Sequence, residues 1–173
     1  MSGYVCFSHG LESGPQGAKI AALTEVAEAL GFEVEALDYR GQPDPDLRVE
    51  KLLAHGRAVT KPLVLAGSSL GGYVATVAAA ELPALGLFLL APALYLPGPR
   101  RREYRPGARV ITVVQGWRDE VIPLENTLRF ARENQATLHL VDGDHRLIEN
   151  IPELKVYFRL FLEAVTKESG YNR

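Results

Sequence analysis

The sequence predicts an α/β fold, a three-layer sandwich in which a parallel sheet lies between two layers of helices. Short apolar runs alternate with longer amphipathic segments along the whole chain, which is typical of consecutive βα units. No repeat, low-complexity tract or domain linker interrupts this alternation. The 173 residues and the 47% hydrophobic content fit one compact core. We therefore expect a single domain over residues 1–173.

Six apolar runs predict six parallel strands. Each is apolar on both faces, as a strand covered by helices on both sides requires. Cys6, the only cysteine, lies in the first run, so we expect it in the core and no disulfide within the chain. The predicted strands are Tyr4–Ser8, Phe32–Asp38, Leu63–Ala66, Leu87–Ala91, Arg109–Gln115 and Thr137–Val141.

Helical spacing links these strands. Apolar residues recur at steps of three and four, the period of a helix that buries one face. Gly31 predicts the end of the first helix. Pro43 and Pro45 predict a loop over Gly41–Asp46. The predicted helices are Gly17–Leu30, Leu47–Val59, Tyr73–Leu82, Leu124–Asn134 and Pro152–Val165.

Composition and charge exclude several classes of partner. With 19 basic and 21 acidic residues the formal net charge is −2, so we expect no nucleic-acid partner and no anionic membrane surface. The apolar stretch Leu82–Pro97 is broken by proline and glycine, and it falls short of the roughly 18 residues typical of a membrane span. The first hydrophobic run ends at Ser8, too early for a secretory signal. These features favour the cytoplasm.

A G-x-S-x-G pattern, Gly-Ser-Ser-Leu-Gly, lies between the third predicted strand and the helix that follows it. A sharp strand-to-helix turn crowds the backbone, so it needs small residues two positions before and after its apex. Gly67 and Gly71 flank Ser69 in this way, whereas an apex at Ser68 would put Leu70 in a crowded position. The pattern predicts Ser69 as a nucleophile. A glycine-rich turn that merely connects strand and helix is the alternative.

A serine nucleophile needs a base, and that base needs a carboxylate to orient it. Asp119 follows the fifth predicted strand, and His145 follows the sixth. Because the carboxyl ends of parallel strands meet at one edge of a sheet, these side chains can converge on the serine. Glu120 is the first substitute for the acidic role. Asp142 and Asp144 are expected to shape the loop, since aspartate readily accepts bonds from nearby backbone N–H groups.

These motifs resemble the α/β-hydrolase superfamily. The G-x-S-x-G turn, the later G-x-x-D-x-x-I-P segment and the final G-D-H stand in the chain order nucleophile, acid, histidine. The segment Ser-His-Gly-Leu at residues 8–11 is similar to the His-Gly element that contributes to the oxyanion hole in that superfamily. The short chain and the run from His9 to Pro15 are similar to the compact, cap-less YqiA-type esterases.

The resemblance implies acyl transfer. Ser69 would attack an ester carbonyl, His145 would take its proton, and Asp119 would hold the imidazole. The backbone N–H groups of Leu70 and Leu11 would receive the oxyanion, with the following helix dipole behind them. The superfamily often has two further N-terminal strands and a helical cap, and this chain has no segment for either. A strand order of 2-1-3-4-5-6 and an open site follow.

Several further residues are expected near the substrate. His9 lies too early in the chain for the catalytic order, and we expect it to shape the oxyanion loop. The segment from Pro92 to Gly107 concentrates arginines beside two tyrosines. A segment of this kind is ordinarily a solvated loop. The sharper hypothesis is a short rim over Ser69, in which Tyr95 and Tyr104 contact the substrate and arginines such as Arg101 prefer anionic groups.

We expect a carboxylic ester hydrolase that acts on small or medium acyl groups, with thioesters as a near variant. A peptidase is disfavoured because no segment builds an evident peptide cleft. No cofactor or metal is expected, since the four histidines and one cysteine lack ligand spacing and the glycine-rich turn lacks the lysine of a P-loop. A non-catalytic module that binds a small ligand or a protein on the same scaffold is the alternative from a different class.

Overall fold

One parallel sheet forms the centre of the molecule. The computed structural model describes residues 3–170, which form six strands. Every neighbouring pair is parallel, and the strands are ordered 2-1-3-4-5-6 across the sheet, which confirms the prediction. The strands are β1 (Tyr4–Ser8), β2 (Glu33–Leu37), β3 (Leu63–Ser68), β4 (Ala84–Leu90), β5 (Val110–Gly116) and β6 (Thr137–Val141).

Helices cover both faces of the sheet. They are α1 (Ala18–Ala29), α2 (Pro45–Ala58), α3 (Leu70–Ala78), α4 (Leu124–Asn134) and α5 (Ile151–Gly170). One apolar core lies under α1 and α5 and contains Leu23 and Phe158. A second core lies under α2, α3 and α4 and contains Leu52, Val74 and Phe130. The predicted three-layer arrangement is therefore present.

The expectation that every strand is apolar on both faces is wrong for the two outer strands. The central strands β3 and β4 are almost wholly buried, whereas β2 and β6 expose or half-expose most of their residues. A strand at the edge of a sheet has a neighbour on one side only, and the helix layers taper there. Polar residues such as Glu33 and Glu35 are accommodated at this edge.

The second helix begins within the segment predicted as a loop. Asp44 caps α2, because its Oδ1 accepts the N–H groups of Asp46 at 2.8 Å and Leu47 at 3.3 Å. Pro45 occupies the first helical position. Proline is tolerated there because the first N–H groups of a helix have no intrahelical acceptor. The proline that predicted a loop therefore starts the helix.

No cap covers the carboxyl edge of the sheet in the part of the chain that the structure describes. The connection between β4 and β5 contains no helix and lies against the layer of α2, α3 and α4. Tyr104 from this connection is buried in that layer, edge-on to Tyr73. The carboxyl edge of the sheet is left open as a result. None of the helices in residues 3–170 is long and apolar enough to cross a membrane.

We predict that Phe158→Ala lowers the free energy of unfolding by about 3–5 kcal/mol, because it leaves a cavity in a fully buried aromatic cluster. The Phe158 ring lies 4.8 Å from Phe88 and 5.8 Å from Phe7, centroid to centroid. Val156→Ala, an exposed change on the same helix, is the control and should alter stability by less than about 0.5 kcal/mol. Urea unfolding measures both. Equal effects of the two changes would contradict this packing.

Candidate active site

Ser69 stands at the apex of the turn between β3 and α3. Its backbone has φ 54° and ψ −117°, a conformation that residues with a side chain rarely adopt. Three backbone hydrogen bonds of 2.9 Å hold it: its N–H donates to the carbonyl of Leu90, and its carbonyl accepts from Gly72 and Ala93. The turn therefore presents the serine side chain outward at the carboxyl edge of the sheet.

The glycines on either side of Ser69 leave no room for a side chain. A Cβ on Gly67 would lie 2.1 Å from the carbonyl oxygen of Gly71. A Cβ on Gly71 would lie 1.9 Å from the carbonyl oxygen of Ser8 in β1. Both obstacles are backbone atoms, which cannot give way as a flexible side chain can. The crowding that selected Ser69 over its neighbour is thus present in the structure.

His145 connects the other two predicted residues. Its Nε2 lies 3.0 Å from Ser69 Oγ, and its Nδ1 lies 2.9 Å from Asp119 Oδ2. An ionised carboxylate can only accept hydrogen bonds, so the ring proton belongs on Nδ1. Nε2 is then free to accept the serine hydroxyl. The structure brings together the three side chains that the sequence predicted from separate loops.

Asp119 is held by four hydrogen bonds. Its side chain is 1% exposed. Oδ1 accepts the N–H groups of Val121 and Ile122 at 2.8 Å each, and Oδ2 accepts both His145 and the amide of Gln115, the latter at 2.8 Å. These donors fix the carboxylate in the orientation that the imidazole requires. Glu120, the sequence-based substitute, is exposed and points to solvent.

Gln115 is a site residue that the sequence analysis missed. It is fully buried at the end of β5, and its Oε1 accepts the hydroxyl of Thr127 at 3.0 Å. That bond fixes which end of the amide donates to Asp119. The sequence does carry one sign of this role, a single amide side chain at the end of an otherwise apolar strand. A buried polar side chain requires hydrogen-bond partners, so such a residue points to a polar neighbour.

Of the two other aspartates of the histidine loop, Asp144 bonds to the backbone as expected, whereas Asp142 does not. Asp144 Oδ1 accepts the N–H groups of Arg146 and Leu147 at 3.0 Å each. Asp142 pairs with Arg118 at 2.7 Å on the surface. The two bonds of Asp144 close the turn that carries His145.

His9 is a buried neutral histidine. Its Nε2 accepts the backbone N–H of Tyr39 at 2.8 Å, so Nδ1 carries the proton and donates to the carbonyl of Gly10 at 2.7 Å. Burial lowers the pKa of His9 below its ordinary value. The side chain is 1% exposed, and its hydrogen bonds are made to the loop rather than to open space. His9 therefore shapes the loop after β1, as predicted.

Arg48 holds the same loop from beneath and was also missed. Its guanidinium is fully buried and donates to the carbonyls of His9 and Gly10 at 3.2 Å each and of Gln42 at 2.6 Å. The C=O and N–H of one trans peptide point in opposite directions. Because the Gly10 carbonyl points towards Arg48, the N–H of Leu11 points away from it. An arginine on an amphipathic helix gave no sequence signal for this role.

Two backbone N–H groups near Ser69 are unused. Within residues 3–170, neither Leu11 nor Leu70 donates a backbone hydrogen bond outside regular elements. Leu70 is the first residue of α3, where the N–H has no intrahelical acceptor. Gly10 lies against Ser69, since a Cβ there would be 3.6 Å from the serine Cβ. Both groups are available to a ligand beside the serine.

An open cleft of about 700 Å³ surrounds Ser69 and His145. Its walls are the loop after β1, the first turn of α1 and the loops carrying His145 and Val121. The apolar side chains of Leu11, Val121 and Ile148 line it and are partly exposed. Across residues 3–170, no group of three or more His, Cys, Asp or Glu side chains is arranged to hold a metal ion.

The predicted rim of Tyr95 and Arg101 over Ser69 does not form. Tyr95 donates its hydroxyl to Glu133 at 2.9 Å, and the Arg101 guanidinium lies 3.9 Å from Glu81. Buried Tyr104 draws this loop onto the layer of α2, α3 and α4, whereas the cleft opens on the α1 side. The arginines of this loop form ion pairs on the surface, in agreement with the interpretation of a solvated loop.

Comparisons with known proteins agree with this architecture. A model of the alpha/beta hydrolase family matches residues 7–165. A Xanthomonas campestris pv. campestris protein assigned to the alpha/beta superfamily of hydrolases is 37% identical; the alignment covers 95% of this chain and 99% of that one, with TM-score 0.88. A search of curated proteins found no match.

Two other solved structures share the fold at lower identity. An α/β serine hydrolase without a lid from Xanthomonas campestris is 23% identical, over 92% of this chain and 81% of that one, with TM-score 0.74. An alpha-beta serine hydrolase homologue from Coxiella burnetii is 20% identical, over 92% and 84%, with TM-score 0.79. At this identity the likeness concerns the fold.

We predict that His9→Gln reduces the pH dependence of the free energy of unfolding in mildly acidic solution. Because burial lowers the pKa of His9, the unfolded chain binds this proton more readily than the folded protein. Neutral His9 therefore makes its full contribution to the free energy of unfolding above about pH 6.5, and this contribution is lost as the pH falls below that value. The free energy of unfolding should therefore fall less steeply between about pH 7 and 5 in the variant. His139, whose pKa burial also lowers, is present in both proteins and cancels. Equal slopes would contradict the neutral, buried state of His9.

Proposed function

Because this chain belongs to the alpha/beta hydrolase family, we propose that it is a serine hydrolase that cleaves carboxylic esters or thioesters of small or medium acyl groups. The observation that carries the proposal is the continuous hydrogen-bonded chain from Ser69 through His145 to Asp119. The short chain without a cap also resembles the YqiA-type esterases, which supports an esterase among the hydrolases of this family.

In the proposed mechanism, Ser69 Oγ attacks the carbonyl carbon while His145 Nε2 takes the hydroxyl proton. The Asp119 carboxylate stabilises the imidazolium that forms, and Gln115 keeps that carboxylate in place. The imidazolium then gives its proton to the departing alcohol or thiol, which leaves an acyl group on Ser69. Water, deprotonated by His145, attacks this acyl group and releases the carboxylic acid.

The proposed oxyanion hole consists of the N–H groups of Leu11 and Leu70. Both are unused within the described residues, and both belong to backbone segments that flank Ser69. The N-terminal end of α3 adds its partial positive charge at the same place. Arg48 and His9 hold the carbonyl of Gly10, and thereby aim the N–H of Leu11 at the cleft. Donors fixed in advance need no reorganisation when the negative charge develops.

The shape of the cleft supports small or medium acyl groups. No cap segment of the described residues covers the cleft, so it is open to solvent. The partly exposed side chains of Leu11, Val121 and Ile148 offer apolar contact near Ser69. A short acyl chain can lie against these side chains. The apolar cavity next to Ser68 has a volume of only about 20 Å³, which is too small for a long acyl chain.

We predict that hydrolysis of p-nitrophenyl butyrate depends on Ser69 and Asp119. Ser69→Ala should lower kcat by at least about 10⁴-fold, and Asp119→Asn by about 10³–10⁴-fold, because the second change removes the acceptor that fixes the imidazole tautomer. His55→Gln, a histidine on α2 outside the cleft, is the control and should retain full activity. A panel of oxygen esters and thioesters of graded acyl length defines the preferred substrate. A folded protein inert towards the whole panel would favour the non-catalytic binding module.

We further predict that Arg48→Lys lowers kcat by about 10-fold or more while KM changes little. Loosening the Gly10–Leu11 peptide weakens a donor that acts chiefly in the transition state, and complete loss of one such donor costs about 10²–10³-fold. Glu50→Gln, an exposed change on the same helix, is the control. Thermal unfolding of both variants checks that the fold is intact. A rise in KM with unchanged kcat would contradict the assigned role.

A further inference from the structure

Lys19 projects from the first turn of α1 into the wall of the cleft. Its ammonium donates to the hydroxyl of Ser68 at 2.9 Å. Ser68 precedes the proposed nucleophile directly, and adjacent Cα atoms are about 3.8 Å apart. Lys19, Ser68 and Ser69 all line the same cleft, so the positive charge shares that cleft with the proposed nucleophile. Neither the fold nor the proposed acyl transfer accounts for it.

The Lys19 ammonium has no carboxylate partner. No Asp or Glu oxygen of the described residues lies within 4.0 Å of it, whereas Lys61 pairs with Glu33 and Lys155 with Glu25. An ammonium has three donors, and Ser68 uses one of them. The two remaining donors make no hydrogen bond to the described residues, and Lys19 lines both the cleft and a small apolar cavity next to Ser68.

Arg146 adds a second cation to the same cleft. Its side chain is exposed and lines the cleft near His145, and within residues 3–170 it too has no carboxylate within salt-bridge distance. The arginines of the loop after β4 differ, since Arg100 pairs with Asp46 and Arg105 with Glu133. Glu12 is the single acidic side chain that lines the cleft, and it is exposed. The side chains that line the cleft therefore include two cations and one exposed carboxylate, while the Asp119 carboxylate is engaged by His145.

Burial makes the lone ammonium receptive to an anion. Burial lowers the pKa of Lys19 to about 8; the Asp144 carboxylate opposes this shift, Arg146 adds to it, and Asp119 opposes it more weakly. The amine is still mostly protonated at neutral pH. A partly desolvated cation with unused donors is stabilised by a carboxylate, which supplies both opposite charge and hydrogen-bond acceptors.

We propose that Lys19 binds a carboxylate of the substrate, so that the cleft prefers esters with a carboxylate a few bonds from the scissile carbonyl, such as half-esters of short dicarboxylic acids. This inference rests on the proposed esterase function. Lys19 holds the carboxylate against the α1 wall beside Ser69, and Arg146 attracts it at the entrance. The anionic preference that the sequence analysis assigned to Arg101 thus belongs to a different wall of the molecule.

The kinetic test compares p-nitrophenyl hemiglutarate with the neutral p-nitrophenyl hexanoate. In Lys19→Met the ratio of kcat/KM for the anionic ester to that for the neutral ester should fall about 10- to 100-fold, the effect of losing a charge-assisted hydrogen bond. Lys19→Arg keeps the positive charge, so its ratio of the two kcat/KM values should stay close to that of the unchanged protein. Lys155→Met, a paired lysine on α5 outside the cleft, is the matched control and should leave both rates unchanged. An unchanged ratio in Lys19→Met would overturn the carboxylate site while the esterase function stands.

A binding test separates the two proposals, because it needs no turnover. Calorimetry measures the affinity of monomethyl glutarate for Ser69→Ala and for Ser69→Ala combined with Lys19→Met. The proposal expects at least about a 10-fold weaker Kd in the double variant, by the same lost hydrogen bond. Equal affinities would overturn the carboxylate site. If no ester is hydrolysed, the esterase function fails, and this comparison alone decides whether Lys19 binds carboxylates.

Discussion

The backbone at Ser69 is held in a left-handed conformation, and the geometry of the whole candidate site depends on that turn. Such a conformation costs about 1–3 kcal/mol and persists only when its surroundings enforce it. Here the enforcement comes from both neighbouring strands. Leu90 in β4 accepts the serine N–H, and Gly71 packs directly on the carbonyl of Ser8 in β1. The strained residue is therefore fixed at the point of the sheet edge that His145 reaches.

Buried polar side chains extend this fixation to the rest of the site. Gln115 positions Asp119, which positions His145, while Arg48 positions the peptide between Gly10 and Leu11. A buried polar group costs free energy unless its hydrogen bonds are made, and here each one bonds to a neighbour in the site. The hydrogen bonds that offset the cost of backbone strain and of buried polar groups are therefore the same bonds that position the side chains of the site.

The apolar runs were enough to predict six strands, because runs this short are typical of strands rather than helices, although β2 and β6 are half-exposed. Ser69, Asp119 and His145 were also predictable, since a crowded turn and the shared edge of parallel strands constrain them. Arg48 and Lys19 were not, because a basic residue on an amphipathic helix has the same sequence signature whether it is buried or solvated. Tyr95 was misplaced since nothing in the sequence states onto which face of the sheet its loop folds.

Reaction with an alkyl fluorophosphonate, followed by peptide mapping, shows whether His145 activates the Ser69 hydroxyl. The probe forms a covalent bond only with an activated hydroxyl, so it reports the coupling between Ser69 and His145 whatever the substrate is. We expect one label per chain, on Ser69. The label should be absent in Ser69→Ala and should form much more slowly in His145→Ala. A folded protein whose Ser69 stays unlabelled, or that carries the label on another residue, would contradict this expectation.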